Sequence, residues 1–269
     1  MIQGISPAIS AVKNLGKRIG NVANNVANVA TAGYKKSRST ATPLPGYHVS
    51  TASGTSSVGM GSALGDISQV FQQGSFEPSD SSTSMAIGGN GFFIVRDGEG
   101  KSYYTREGNF SFNQNGSLVN SQGFIVQGRR MDPTGSPQGS LGDISIDGYN
   151  AGELEAIAVS PDGVITGSYT NGNPVDLFQV ATADFQNPNG LEQLGNNLFA
   201  ATGDSGSAIT GSPGSGGLGR IVPHALEMSN VDLVEEFTML ILFKRSFQAN
   251  LKVIEVENGL KGDVLDIIS

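Results

Sequence analysis

Leu233-Val-Glu-Glu-Phe237-Thr-Met-Leu240-Ile-Leu-Phe243-Lys-Arg-Ser-Phe247 is the stretch that decides how this 269-residue chain is organised. Between Phe237 and Phe247 the large apolar residues crowd so closely that a helix built from them keeps little polar face. A helix greasy on more than one side needs more than one partner. Its start is marked by Ser229-Asn230-Val231-Asp232, which offers N-cap residues after Pro223, and Asp232 with Glu235 has capping-box spacing. Downstream, Leu233, Phe237, Leu240, Phe247, Leu251, Ile254, Leu265 and Ile268 fall on one three-four seam, with Gly259 and Gly262 weakening the last turns. Such a helix is about 50 Å long at a rise of ~1.5 Å per residue, longer than a small core covers.

The first thirty residues repeat the arrangement with smaller side chains. Ser6 and Pro7 suit a helix start, and Gly33 suits its termination. Between them Ile2, Ile5, Ile9, Val12, Gly16, Ile19, Ala23, Val26 and Ala30 alternate by three and four. A small seam and a bulky one can pack closely, either as a hairpin within one chain or between chains. Asn14, Asn21 and Asn28 stand one heptad apart, where amides set register between chains or form an ordinary polar stripe.

The net charge of −8 is unevenly spread. Residues 1–40 carry six bases and no acid, whereas residues 221–269 carry eight acids and four bases. Opposite signs at the two ends suit segments that lie against each other or against a neighbour's.

Between the helical ends, glycine-rich turns alternate with short β-prone runs. These are Gly91–Arg96, Ser102–Thr105, Asn109–Asn113, Ser117–Asn120, Gly123–Gly128, Ile144–Ile146, Leu154–Val159, Val164–Ser168 and Val175–Thr182. The expected fold class is α+β: long N- and C-terminal helices forming a coiled-coil-like pair, with an all-β middle domain. Five segments are expected: a helix over 1–33, an extended Ser/Gly-rich arm over 34–84, the β-rich domain over 85–201, a Gly/Ser/Pro linker over 202–224, and a helix over 225–269.

Catalytic and cofactor chemistry finds little footing. There is no cysteine, hence no disulfide and no thiolate site. His48 and His224 lie outside any metal or nucleophile motif and are expected in exposed connections. Gly214, Gly216, Gly217 and Gly219 match G-x-G-x-x-G formally, but no strand leads in and Pro223 interrupts the helix that should follow. Asn113, Asn115 and Gly116 resemble the start of a calcium loop less than they resemble a hairpin turn. Glu153 and Glu155 read as the wet face of a strand. Lys35, Lys36 and Arg38 could touch phosphate, yet an acidic chain without a recognition module points instead to a partner-facing helix end. No run is long enough to span a bilayer, and Met1–Arg18 lacks a secretory apolar core. No catalytic, cofactor or metal residues are assigned, and no nucleic-acid partner or direct membrane insertion is expected.

Three blocks carry a family resemblance. Asn24-Asn25-Val26-Ala27-Asn28, followed by Thr31, Gly33, Tyr34 and Lys35, resembles the amino-terminal signature of bacterial flagellar rod and hook proteins. Ala86-Ile87, Gly91-Phe92-Phe93-Ile94-Val95 and Tyr104-Thr105-Arg106-Glu107-Gly108-Asn109-Phe110 resemble the start of that family's β domain. Ala225-Leu226-Glu227-Met228-Ser229-Asn230-Val231-Asp232-Leu233 with Phe247-Gln248-Ala249-Asn250 resembles its carboxyl-terminal helix. The resemblance implies a structural, non-enzymatic subunit of basal-body rod or short hook. It would pass unfolded through the flagellar export apparatus without a cleaved signal, then polymerise with copies of itself and other axial proteins into a hollow tube. The assembly interface expected on this reading comprises Ile5, Ile9, Val12, Ile19, Asn24, Asn25, Val26 and Asn28 at one end. At the other it comprises Asn230, Leu233, Phe237, Leu240, Phe247, Leu251 and Ile254. A secreted β-rich enzyme or ligand-binding module with helical ends is the alternative, to be recognised by a middle fragment that binds a ligand alone.

Overall fold

A computed structural model describes residues 5–51, 54–132, 135–146, 154–170 and 174–268. Its elements run α1 (Ile5–Ala27), β1 (Ser37–Pro43), β2 (Tyr47–Thr51), β3 (Gly54–Val58), β4 (Ser62–Gln69), β5 (Phe76–Pro78), β6 (Met85–Gly88), β7 (Phe92–Arg96) and β8 (Ser102–Thr105). There follow β9 (Ser111–Phe112), β10 (Leu118–Val119), β11 (Ile125–Met131), β12 (Pro137–Asp143), β13 (Leu154–Val159), β14 (Val164–Tyr169), β15 (Pro174–Val180) and β16 (Thr182–Asp184). The chain ends with β17 (Glu192–Gly195), β18 (Leu198–Ala200), β19 (Ile209–Gly211), β20 (Arg220–Pro223), β21 (Ala225–Glu227) and α2 (Leu233–Ile268). The fold is α+β, one helix at each end and strands between.

Two compact units divide the chain, one holding the helices with residues 36–70, the other holding residues 30–35 and 71–230. In the helical unit, Asn25 of α1 reaches Glu236 of α2, and Arg18 lies over the Phe243 ring, so the helices run antiparallel. Leu15, Val22 and Phe243 are buried between them, with Ile19, Val26, Met239, Leu240 and Phe247 packed around. β1 pairs with β4 and β2 with β3, and every described residue of β3 is exposed.

The β unit is built on a thirteen-stranded sheet whose main path runs β13-β14-β15-β11-β7-β8-β18-β17. Two short antiparallel pairs, β20 with β6 and β21 with β5, tie residues 220–227 to residues 76–88. Phe93, Val95, Phe110, Leu118, Val126, Leu177 and Ile221 are among the side chains of its larger core; Phe92, Ile94, Phe185 and Phe199 belong to a second.

One turn recurs five times, each time with a glycine at the same place. In Asp97–Lys101, Asn113–Ser117, Asn120–Phe124, Asp132–Ser136 and Ser160–Val164, the N–H of the first residue donates to the carbonyl of the fifth, and the fourth-position N–H donates back to the first. The fourth position is always glycine, with φ between +70° and +88°. The first side chain caps the turn by accepting the fifth N–H, as Asp97 does from Lys101, Asn113 from Ser117 and Ser160 from Val164. This is a three-residue hairpin loop closed by a left-handed residue, where glycine carries no steric penalty.

Several expectations change against these coordinates. Helix is already present at Ile5, so Ser6 and Pro7 lie inside α1, which ends at Ala27, ahead of Gly33. Segment 202–219, expected as a linker, contributes β19 to the sheet, and the glycine run there turns into strand β20 instead of a helix, removing the phosphate-loop context. Ile144–Ile146 makes only an isolated bridge, Ser117 with Ser145. His48 lies in β2; His224 joins β20 to β21 at φ +52°, its backbone N–H bonded to Ser84. Glu153 and Ile2 lie outside the described residues, as do the side chains of Glu155, Leu265 and Ile268.

Candidate assembly interface

α2 begins where a capping residue places it. The Asp232 carboxylate accepts the N–H groups of Val234 and Glu235, at 2.8 and 3.2 Å, satisfying two donors that the first turn leaves open. Glu235 does not complete a reciprocal box: its carboxylate takes the Lys36 ammonium at 2.6 Å.

One face of α2 is used within the chain. Glu236 and Phe243 are buried, and Leu240, Phe247 and Ile254 are half-buried. Asn25 holds this end of the packing together: its amide donates to Ser37 O and to Glu236, while its oxygen accepts the Ser37 N–H. Burial raises the Glu236 carboxyl above its usual range, and the Asn25 bond works against that rise.

The expected interface residues fall into two groups. Val26, Ile19, Leu240 and Phe247 pack inside the helical unit, and Ile5, Val12 and Ile254 are half-buried. By contrast Ile9, Leu233, Phe237 and Leu251 are 39–49% exposed. The asparagines, the heptad-spaced set included, make these bonds within their own chain. Asn14 donates to Ser62 and Ala63, Asn21 to Ser37 O, Asn28 to Asn24 O, and Asn230 to Gln72 O. Asn24 is exposed.

A second apolar face of α2 escaped the sequence reading. Leu242, Ala249, Val253, Val256, Leu260, Val264 and Ile267 recur by sevens, fours and threes, and all are exposed, Ile267 to 83%. They stand roughly 130° around the helix from the buried face, given ~3.6 residues per turn. The signal was legible, because the same three-four count started from Ala249 finds it.

Within the β unit the three resemblance blocks meet at one buried cluster. Glu227 takes the Lys35 ammonium at 2.6 Å and Arg106 at 3.2 Å, and all three side chains are nearly or fully inaccessible. The same carboxylate accepts the Gly74 N–H. Lys35 also donates to Gln72 O, and Arg106 to Ile87 O and Gly89 O. Burial pulls the Lys35 ammonium below the usual lysine range, against the opposing pull of Glu227. Lys35 and Lys36 are therefore not a basic patch facing a partner: one is sealed by Glu227 and the other pairs with Glu235. The backbone is equally close here. Gly33 sits at φ +72°, and a Cβ on it would lie 2.5 Å from the Glu107 nitrogen.

Among the described residues no three His, Asp or Glu side chains gather as a metal site, and no helix is long and apolar enough to cross a membrane.

Comparisons with known proteins follow the same blocks. Residues 86–167 match the family described as flagellar hook protein FlgE/F/G D1 domain, and residues 222–267 match the flagellar basal body rod FlgEFG protein C-terminal family. The chain is 31% identical to the flagellar basal-body rod protein FlgG of Borreliella burgdorferi over 97% of each chain. It is 31% identical to FlgG of Bacillus subtilis over 99% of each. It is also 35% identical to the flagellar hook protein FlgE of Helicobacter pylori, across 60% of this chain and 25% of that protein.

Proposed function

Because this chain belongs to the flagellar basal-body rod and hook protein family, whose members are structural subunits of the flagellar axis, we propose that it is a rod subunit that polymerises through its terminal helices. The rod reading is supported by the extent of the likeness, which runs end to end with rod proteins but covers a quarter of the hook protein. The subunits form a hollow tube, with the helices as its coiled-coil inner layer, and the tube transmits torque. Export proceeds in the unfolded state through the flagellar apparatus, and the assembled protein lies between periplasm and cell exterior. Its partners are copies of itself and other axial proteins. Its role is structural, and Lys35, Arg106 and Glu227, the most deeply buried charges among the described residues, are paired with one another and with backbone carbonyls.

The single observation that carries this reading is the unburied apolar surface of α2, on a helix already packed along another face. Removal of residues 1–27 or 233–269 tests it, the second deletion leaving Glu227 in place. Either deletion is expected to abolish polymerisation by the purified chain and incorporation into basal bodies. Undiminished assembly by both shortened chains, seen by electron microscopy, would sink the proposal.

A further inference from the structure

The second seam of α2 asks for a partner of particular shape and charge. Leu242, Val253, Val256, Leu260, Val264 and Ile267 each expose 47–83% of their surface; from Ala249 to Ile267 the stripe is unbroken and about 27 Å long, at ~1.5 Å per residue, while Arg245 and Ser246 separate it from Leu242. The sequence over 253–269 carries four acids, Glu255, Glu257, Asp263 and Asp266, against Lys261. With Asn25 opposite Glu236 and Arg18 opposite Phe243, antiparallel packing sets Ile5 near Val256, so the distal turns of α2 run past the described start of α1.

The outward face of α1 has the converse properties. Lys13, Gly16, Lys17, Gly20, Ala23 and Ala27 line it, and all are exposed. A Cβ added to Gly16 or Gly20 would meet nothing within 4 Å. α1 carries Lys13, Lys17 and Arg18 and no acid, and neither Lys13 nor Lys17 makes an ion pair among the described residues. At its edge a cleft of about 210 Å³ is bordered by Lys13, Asn14, Lys17, Leu44, Ser62 and Leu64. Asn14 is 95% buried there, and its side-chain oxygen has no hydrogen-bond partner among the described residues. A buried acceptor left open costs free energy until a donor reaches it.

Resting on the polymerisation reading, we propose that the second seam of α2 in one copy docks on the outward face of α1 in another. Bulky side chains enter where Gly16 and Gly20 leave the backbone bare. The net-acidic distal turns meet Lys13 and Lys17. The two patches differ, so the contact is heterologous, and a heterologous contact that does not close on itself propagates as an open helical array. A symmetric contact between two α2 seams would instead give closed dimers.

The absence of native cysteine makes the test clean. One set of full-length chains carries Gly16→Cys or Gly20→Cys; a second carries Ala249→Cys, Val253→Cys or Val256→Cys. The sets are mixed, assembled and oxidised, since a disulfide needs Cβ atoms within about 4.5 Å. Mixed disulfides between the sets are expected in at least one combination, with chains of a single set remaining uncrosslinked. Disulfides within the α2 set alone, or no mixed disulfide in any combination despite assembly, would overturn the inference. Independently, Gly20→Leu should leave the monomer's helical content unchanged and raise the concentration needed for assembly at least tenfold. Wild-type assembly by both Gly16→Leu and Gly20→Leu defeats this docking mode while leaving polymerisation through the terminal helices intact; only the deletions address that broader reading.

Discussion

The two units bury their side chains to different degrees. The β unit encloses two apolar cores and seals a lysine, an arginine and a glutamate from solvent. The helical unit has one small cluster of large buried apolar side chains, Leu15, Val22 and Phe243, and leaves an apolar seam of α2 in water. One part of the chain satisfies its own surface, and the other leaves apolar surface that the proposed assembly would cover. Exposed apolar area of that kind on a single helix marks an interaction face.

The comparison is broken most directly at Glu227. Glu227→Ala would leave Lys35 and Arg106 buried as two cations without a counter-charge, and breaking such a cluster costs about 3–5 kcal/mol. Denaturant unfolding of the full chain, followed through aromatic circular dichroism, should show this loss; Glu227→Gln, which keeps the acceptor oxygen, should cost less. A loss below about 1 kcal/mol would mean that the β unit does not depend on this closure.

The helical unit should respond strongly only on its inner face. Phe243→Ala removes a ring that is 6% exposed and stacked under Arg18, for a cost of about 3 kcal/mol. Helical ellipticity during denaturation should fall early in this variant while the aromatic signal of the β unit stays near its original midpoint. Joint loss of both signals at one midpoint would show that the two units unfold as one.

Much of the β unit could be read from local chemistry. β7, β8, β13 and β14 stand where their Val, Ile, Tyr and Phe runs between glycine turns placed them. β20 and β21 were not legible, because Arg220–Pro223 and Ala225–Glu227 are too short to carry a period and gain their strand character from β6 and β5. At the site, the end helices and the apolar breadth of α2 were legible, but the buried ion cluster was not. Lys35, Arg106 and Glu227 lie 71 and 121 residues apart in the sequence, and no local pattern distinguishes a charge destined for the interior. The bonds of the asparagines were hidden for a related reason: heptad spacing puts Asn14 and Asn21 on one helix face, whereas their bonding partners, Ser62 and Ser37, belong to a ribbon that a helical period cannot reveal.

The smallest effect separates the units by pH. Each holds a carboxyl raised by burial, Glu236 in the helical unit and Glu107 in the β unit. A carboxyl whose folded pKa is raised binds its proton earlier in the folded state than in the unfolded one. Its contribution to stability is therefore fully present below the unfolded pKa and is lost as pH rises through the raised folded value. Acidifying from neutrality into that window should strengthen the packing of α1 on α2 slightly before general acid denaturation sets in. Glu236→Gln keeps an oxygen for the Asn25 amide and removes the charge, so its helical unit should be at least as stable as the parent at neutral pH. The variant should also lose the gain on acidification, while the β unit retains the part that Glu107 supplies. Parallel pH profiles of helical unfolding for parent and variant would show that Glu236 does not sense its burial.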